Sequence, residues 1–190
     1  MVSQSQTRIR MTAAEFLQLP ETTQRMELIH GELVTYGDEL MSPAPELNHQ
    51  RIVVQLVAML VNLALPGDVF TAPTDVHLDD STVVQPDVLW VSPDNTSVAD
   101  DGKRLRGAPD LVIEVLSPGT AQQDKTTKFK LYEQSGVREY WIVDPVYRLV
   151  DVWTLTEGVY RQQGVYGVDD GFESGVLGQK PIDLKVILTT

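Results

Sequence analysis

The run Leu111-Val-Ile-Glu-Val-Leu116 constrains this chain more than any other segment. Apolar residues that do not alternate with polar ones mark a strand buried on both faces, so the run belongs inside a covered sheet. Glu114 stands in its middle. A lone carboxylate there is costly, so it must be protonated, paired with a cation or bound to a metal. Val83-Val-Gln-Pro-Asp-Val-Leu-Trp-Val91 repeats the anomaly, with Asp87 just after Pro86 inside a strand expected over 82–91. Alternation puts Asp87 with Leu89 on one face, and Glu114 with Val112 and Leu116 on one face. If those strands are neighbours with the faces aligned, two carboxylates meet. Like charges that close call for a divalent cation between them, and hard oxygen donors select Mg²⁺ or Mn²⁺. Separate ion pairs with Arg or Lys are the other reading of the same two acids.

Other signals set the surroundings. Thr12 and Glu15 have capping-box spacing, which predicts a short helix over 13–18 stopped by Pro20. Strand-like runs on either side of Gly31 predict a hairpin or bulged strand within 25–36. Ser42-Pro-Ala-Pro45 reads as a loop leading into a helix over 48–63, where Ile52, Leu56, Met59, Leu60 and Leu63 recur at helical spacing. Strands are expected over 69–78, 82–91, 111–116 and 139–143, with a long polar loop over 92–108. A helix over 123–135 should close at Gly136 in a left-handed cap. The sequence from Arg148 onward suggests an antiparallel β extension.

Lys128 borders the apolar stripe of that helix, three and four residues before Leu131 and Tyr132. Asp124 lies one turn earlier, in the favourable order for an Asp–Lys pair, while Lys125 and Lys130 project elsewhere. A lysine snorkelling over Tyr132 satisfies the same spacing.

Composition narrows the function classes. With no cysteine there are no disulfides, thiolate metal sites or cysteine nucleophile. The longest apolar stretch, from Ile52 to Leu65, is too short to span a bilayer, and the start lacks a signal-peptide core, so a cytoplasmic protein with no membrane partner is expected. Lys and Arg number 15 against 27 Asp and Glu, a formal charge of −12. That sign opposes nucleic-acid binding, but it is uneven. Residues 103–138 hold seven cations and four anions, a local +3, and the remainder carries −15. Lys103, Arg104, Arg106 and Lys125 in that segment are candidate DNA contacts.

These residues together resemble the PD-(D/E)xK nuclease superfamily, and more closely its Uma-type restriction endonuclease family. The resemblance runs through Arg25-Met-Glu-Leu-Ile-His-Gly-Glu32, Ser42-Pro43 and His49, Gln85-Pro-Asp87 and Pro109-Asp-Leu-Val-Ile-Glu-Val-Leu-Ser117. It continues through Asp124, Lys128 and Tyr132 to Gly136-Val-Arg-Glu-Tyr-Trp-Ile-Val-Asp-Pro145, covering roughly 12–160. It implies an α/β (α+β) fold with a restriction-endonuclease-like core over about 25–145. A central mixed β-sheet flanked by helices in α-β-β-β-α-β order is expected, with the β extension over about 148–190 and one domain in all. Carried over, Asp87, Glu114 and Lys128 are the catalytic set. Asp87, Glu114 and the Val115 backbone carbonyl are the ligands of Mg²⁺ or Mn²⁺, and Glu27, His49 and Asp124 lie around them. The superfamily's usual lysine position, two residues after the glutamate, is here Leu116, so Lys128 substitutes from the following helix.

The expected function is a Mg²⁺-dependent endodeoxyribonuclease, in which metal-activated water attacks the phosphate and leaves 5′-phosphate and 3′-hydroxyl ends. DNA binding should be weak and salt-sensitive given the overall charge. A catalytically inert nucleic-acid- or protein-binding module on the same fold, and a hydrolase of a small phosphodiester, are the alternatives. A homodimer would suit cleavage of both strands, with Tyr147, Val150, Val152, Trp153 and Tyr160 either forming its interface or packing on the core.

Overall fold

The computed structural model describes residues 10–20, 22–36, 47–63 and 65–189. The expected loop over 42–45 lies outside them. Helix α1 (Ala13–Phe16) carries both hydrogen bonds of the Thr12–Glu15 capping box. Strands β1 (Met26–Ile29) and β2 (Glu32–Thr35) form an antiparallel hairpin. Its two turn residues, His30 and Gly31, have φ of 51° and 80°. A two-residue hairpin loop demands that left-handed backbone twice, and glycine accepts it without strain. Helix α2 (Leu47–Asn62) buries Ile52, Leu56, Met59 and Leu60 of the stripe read from the sequence, and Leu63, just past its end, is half-buried.

The next two strands expected from sequence are each divided between two sheets. The first becomes β3 (Asp68–Thr71) and β4 (Val76–Asp79), and the second β5 (Thr82–Val84) and β6 (Val88–Val91). Pro86 explains the second break: with no N–H and a fixed φ it cannot sit within a central ladder. The Gln85 N–H already donates to the Glu27 carboxylate at 2.9 Å. Asp87 therefore stands in the gap between two sheets, not inside a strand. The expected loop over 92–108 contains two short strands, β7 (Ala99–Asp100) at a sheet edge and β8 (Leu105–Arg106) beside it.

The buried run forms β9 (Leu111–Val115), with all five residues inaccessible. A helical segment follows in three parts: α3 (Ala121–Gln123), a π-helical turn (Asp124–Lys128) and α4 (Phe129–Ser135). Gly136 ends it with φ of 89°. Then come β10 (Glu139–Asp144), β11 (Leu149–Thr156), β12 (Val159–Gly167), β13 (Gly171–Ser174), β14 (Lys180–Asp183) and α5 (Lys185–Leu188).

The central sheet has the order β12-β11-β10-β9-β6-β3, with β9 and β10 parallel and the other neighbours antiparallel. The second sheet has the order β2-β1-β5-β4-β8-β7, and β13 and β14 form a two-stranded ribbon. This is a mixed α+β fold, and α2, β3, β6, β9, α4 and β10 supply the expected α-β-β-β-α-β series. One face of the central sheet packs Ile113, Val115 and Trp141 against α2, α5 and the β13–β14 ribbon. The opposite face packs Leu89, Val112 and Ile142 against Leu131, Tyr132 and residues of the second sheet. Val150, Val152 and Tyr160 are buried in these cores, and Trp153 stacks edge-on with Phe129 at 4.8 Å. Of the five residues named for a homodimer interface, Tyr147 is the exposed one. No helix among the described residues is long and apolar enough to cross a membrane.

Candidate active site

Strand pairing brings the two anomalous acids together. Val88 lies opposite Ile113 and Leu89 opposite Val112, so continuing the register by one residue places Asp87 beside Glu114. Both side chains leave the sheet on the face that carries Leu89 and Val112. Each is almost wholly buried, at 4% and 1% exposure.

Lys128 enters from the end of the π-turn, and its ammonium has no exposure. Nζ donates to Glu114 Oε1 at 2.8 Å and lies 3.1 Å from Glu27 Oε1 and 3.6 Å from Asp124 Oδ1. Snorkelling is thereby ruled out: the charge points inward. Lys125 and Lys130 do face solvent, near Asp144 and Glu133. A π-turn is a local distortion often found at functional positions. Here it begins at Asp124 and ends at Lys128, both buried.

The hydrogen bonds leave one oxygen of each central acid free of neutral partners. Asp87 Oδ2 accepts the Val115 N–H at 2.8 Å and meets His49 Nε2 at 3.2 Å. Glu114 Oε1 accepts both Lys128 and the Tyr132 hydroxyl at 2.8 Å. The remaining oxygens, Asp87 Oδ1 and Glu114 Oε2, face one guanidinium, that of Arg25, at 3.3 and 4.0 Å. Glu27 completes the cluster. It is fully buried, accepts the Gln85 N–H and the Tyr36 hydroxyl, and lies 3.5 Å from Arg25.

Electrostatics follow from this crowding. Glu27, Asp87, Glu114 and Asp124 oppose Arg25 and Lys128, a formal charge of −2 in a buried volume when all four acids are ionised. Burial pushes the Glu114 carboxyl up to about 8, with Lys128 opposing and the Asp87 and Asp124 charges assisting. Burial likewise raises Asp124, which has no hydrogen bond of normal geometry to either oxygen, although Lys128 and the Thr120 hydroxyl are near. Burial also acts upward on Asp87, but His49 and Arg25 outweigh it and hold the carboxyl below its ordinary range. Glu27 is held down in the same way by Lys128 and Arg25. Burial would depress Lys128, yet Glu114 and Glu27 keep it firmly protonated.

Both sequence readings are thus present at once: the acids converge, and each also touches a cation. Among the described residues no three His, Asp or Glu side chains are gathered around a common metal position. The donor set suited to a hard cation is the pair of carboxylate oxygens that now face Arg25. A cavity of about 810 Å³ reaches Asp87, lined by Arg25, His49, Gln85 and Asp87 on one side and by Val53, Val54 and Val57 of α2 on another, with Glu114 behind that wall.

The candidate DNA contacts do not share this setting. Arg104 and Arg106 lie 3.6 Å from Asp101 beside the β7–β8 edge, Lys103 is exposed there, and Lys125 is on the π-turn. Six of the seven cations of residues 103–138 have a carboxylate within 4.0 Å, so the +3 segment is not a bare basic patch. Arg25, Tyr36 and Tyr132 had no assigned role in the sequence reading. Arg25 and Glu27 are two residues apart, the spacing that sends both to one side of a strand, and that signal would have found the arginine.

The fold has solved counterparts. A crystal structure described as a putative nuclease belonging to DUF820, from Anabaena variabilis, superposes with a TM-score of 0.74 at 21% identity, covering 94% of this chain and 98% of that one. An uncharacterized protein of Synechocystis is 29% identical over 162 residues, spanning 77% of this chain and 86% of the relative. The model of the Uma2 family, described as "Putative restriction endonuclease", matches residues 13–179, and the chain belongs to that family.

Proposed function

We propose that this chain is a divalent-metal-dependent endodeoxyribonuclease that works at the Asp87–Glu114–Lys128 cluster. The observation that carries the reading is the pair of oxygens, Asp87 Oδ1 and Glu114 Oε2, that face the one guanidinium of Arg25 on a cavity wall while their partner oxygens are tied down. With its four acids ionised the cluster carries two surplus negative charges, which a divalent cation would balance, displacing the Glu114 proton as it binds. Membership in a family described as restriction endonucleases supports a nuclease-type chemistry.

Asp87 and Glu114 would hold Mg²⁺ or Mn²⁺, with the Val115 carbonyl as the third ligand that the family resemblance implies. Such an ion supplies a polarised phosphate oxygen and a water acidic enough to attack at neutral pH. The protein's own groups do the rest. The Val115 amide and His49 fix the direction of Asp87, and Lys128 and Tyr132 fix Glu114, so donors are aimed before substrate arrives. Lys128 acts through Glu114 in this arrangement, as a positioning residue with a positive field. Nucleic acid would meet the cavity, with Lys103, Arg104, Arg106 and Lys125 as distal phosphate contacts. The net charge of −12 makes that contact weak and salt-sensitive.

Plasmid nicking in Mn²⁺ or Mg²⁺ tests this. Nicking should vanish with chelator and in Asp87→Asn and Glu114→Gln, and cleavage that survives Glu114→Gln would sink the site. The net charge of −12 favours a second reading, hydrolysis of a small phosphodiester. Turnover of an activated bis-aryl phosphodiester without DNA cleavage would select it. A folded protein that binds no Mn²⁺ would instead indicate an inert module.

A further inference from the structure

Arg25 is the member of the cluster that the proposed chemistry leaves without a task. It precedes β1, its guanidinium donates to the Gln85 carbonyl at 2.5 Å, and the Tyr36 ring centroid lies 5.2 Å from its Cζ. Its nitrogens stand 3.3 Å from Asp87, 3.5 Å from Glu27 and 4.0 Å from Glu114. The oxygens it faces on Asp87 and Glu114 are the two that Lys128, Tyr132, Val115 and His49 leave alone. Its side chain, 28% exposed, shares the cavity wall with Asp87.

We propose that Arg25 stands in for the divalent cation when none is bound, so that arginine and metal compete for the same pair of carboxylate oxygens. The inference rests on the metal reading of the site. A small hard cation sits about 2.0–2.1 Å from its oxygen ligands. A guanidinium nitrogen 3.3 Å from one of those oxygens would then be held close to a like charge, which favours its withdrawal. Withdrawal is open to it. Glu27 and the Gln85 carbonyl hold it independently of Asp87 and Glu114, its Nε makes no hydrogen bond, and the cavity offers room. Arg25 thus lets four buried acids be tolerated before metal arrives, and metal affinity is lower for it.

Mn²⁺ titration by calorimetry and by electron paramagnetic resonance, on wild type, Arg25→Gln, Arg25→Lys and Arg25→Gln combined with Asp87→Asn, decides the matter. Arg25→Gln should bind Mn²⁺ about tenfold tighter or more, the modest end for removing a like charge about 4 Å from an ion. Arg25→Lys should stay near wild type, and the added Asp87→Asn should abolish the gain. In thermal melting, Arg25→Gln should be less stable than wild type in chelator and show the larger rise with Mn²⁺. Equal or weaker Mn²⁺ binding by Arg25→Gln overturns the competition and leaves the metal reading intact. No Mn²⁺ binding by wild type or by Arg25→Gln overturns both. An Arg25→Gln chain that stays unfolded in saturating Mn²⁺ also overturns it, because the ion should replace the missing charge.

Discussion

Replacing Lys128 by Met tests whether the buried lysine holds the cluster together. Methionine keeps an unbranched side chain of similar reach and deletes only the charge. In the wild type Nζ serves Glu114 at 2.8 Å, Glu27 at 3.1 Å and Asp124 at 3.6 Å, with no exposure to water. Its loss takes the cluster from a formal −2 to −3, with Arg25 as the remaining cation. Deleting one partner of a buried ion pair costs about 3–5 kcal/mol. For a chain of 190 residues, at about 2–4 °C per kcal/mol, the melting temperature should fall by about 6–20 °C. Glu114→Gln moves the charge the other way, to −1, and retains an acceptor for Tyr132, so it should lie within about 1 kcal/mol of wild type or above it. The double variant returns to −2 and should recover at least about 1 kcal/mol of the Lys128→Met loss, since touching residues couple by about 0.5–3 kcal/mol. Calorimetry and urea unfolding, all in chelator and at about pH 9, above the Glu114 titration so that the accounting applies, measure the four proteins. A Lys128→Met protein within about 1 kcal/mol of wild type, or a double variant no more stable than Lys128→Met, would refute the charge accounting.

Two further outcomes follow from buried acids. The folded Glu114 carboxyl titrates at about 8 against an ordinary 4.5, so the native state holds the extra proton between those values and this group's contribution falls as pH rises through them. In chelator, wild type should therefore lose stability relative to Glu114→Gln from about pH 5 to about pH 8; a difference that stays constant with pH contradicts the shift. Glu139 is buried at the start of β10, where Oε1 accepts the Trp141 indole N–H at 2.7 Å and Oε2 accepts the amides of Gly175 and Val176 at 3.1 and 3.4 Å. Glu139→Ala strands those donors and should cost about 2–4 kcal/mol, with faster hydrogen exchange at the Gly175 and Val176 amides. Unchanged exchange there would show that the carboxylate does not tether the β13–β14 connection.

What the sequence determined by itself was local chemistry. The Thr12–Glu15 box, the His30-Gly31 turn and the Gly136 cap are each set by a few adjacent residues, and all appear where their spacing puts them. The unalternating run around Glu114 required a strand covered on both faces, and β9 is one. Even the division of the 82–91 strand is written at Pro86, which lacks the N–H that a central ladder needs, although the run around it reads as one continuous strand. Tertiary structure decided which strands are neighbours and what each charge meets. Arg25 lies 62 positions before Asp87 in the chain yet 3.3 Å from it in space, because β1 joins β5 while β6 joins β9. Lys128 could equally have snorkelled; the acids on β9 and β1 drew its charge inward. Burial then made those encounters count, since a charge removed from water is governed by the few groups within about 4 Å of it, and no one-dimensional pattern says which groups those are.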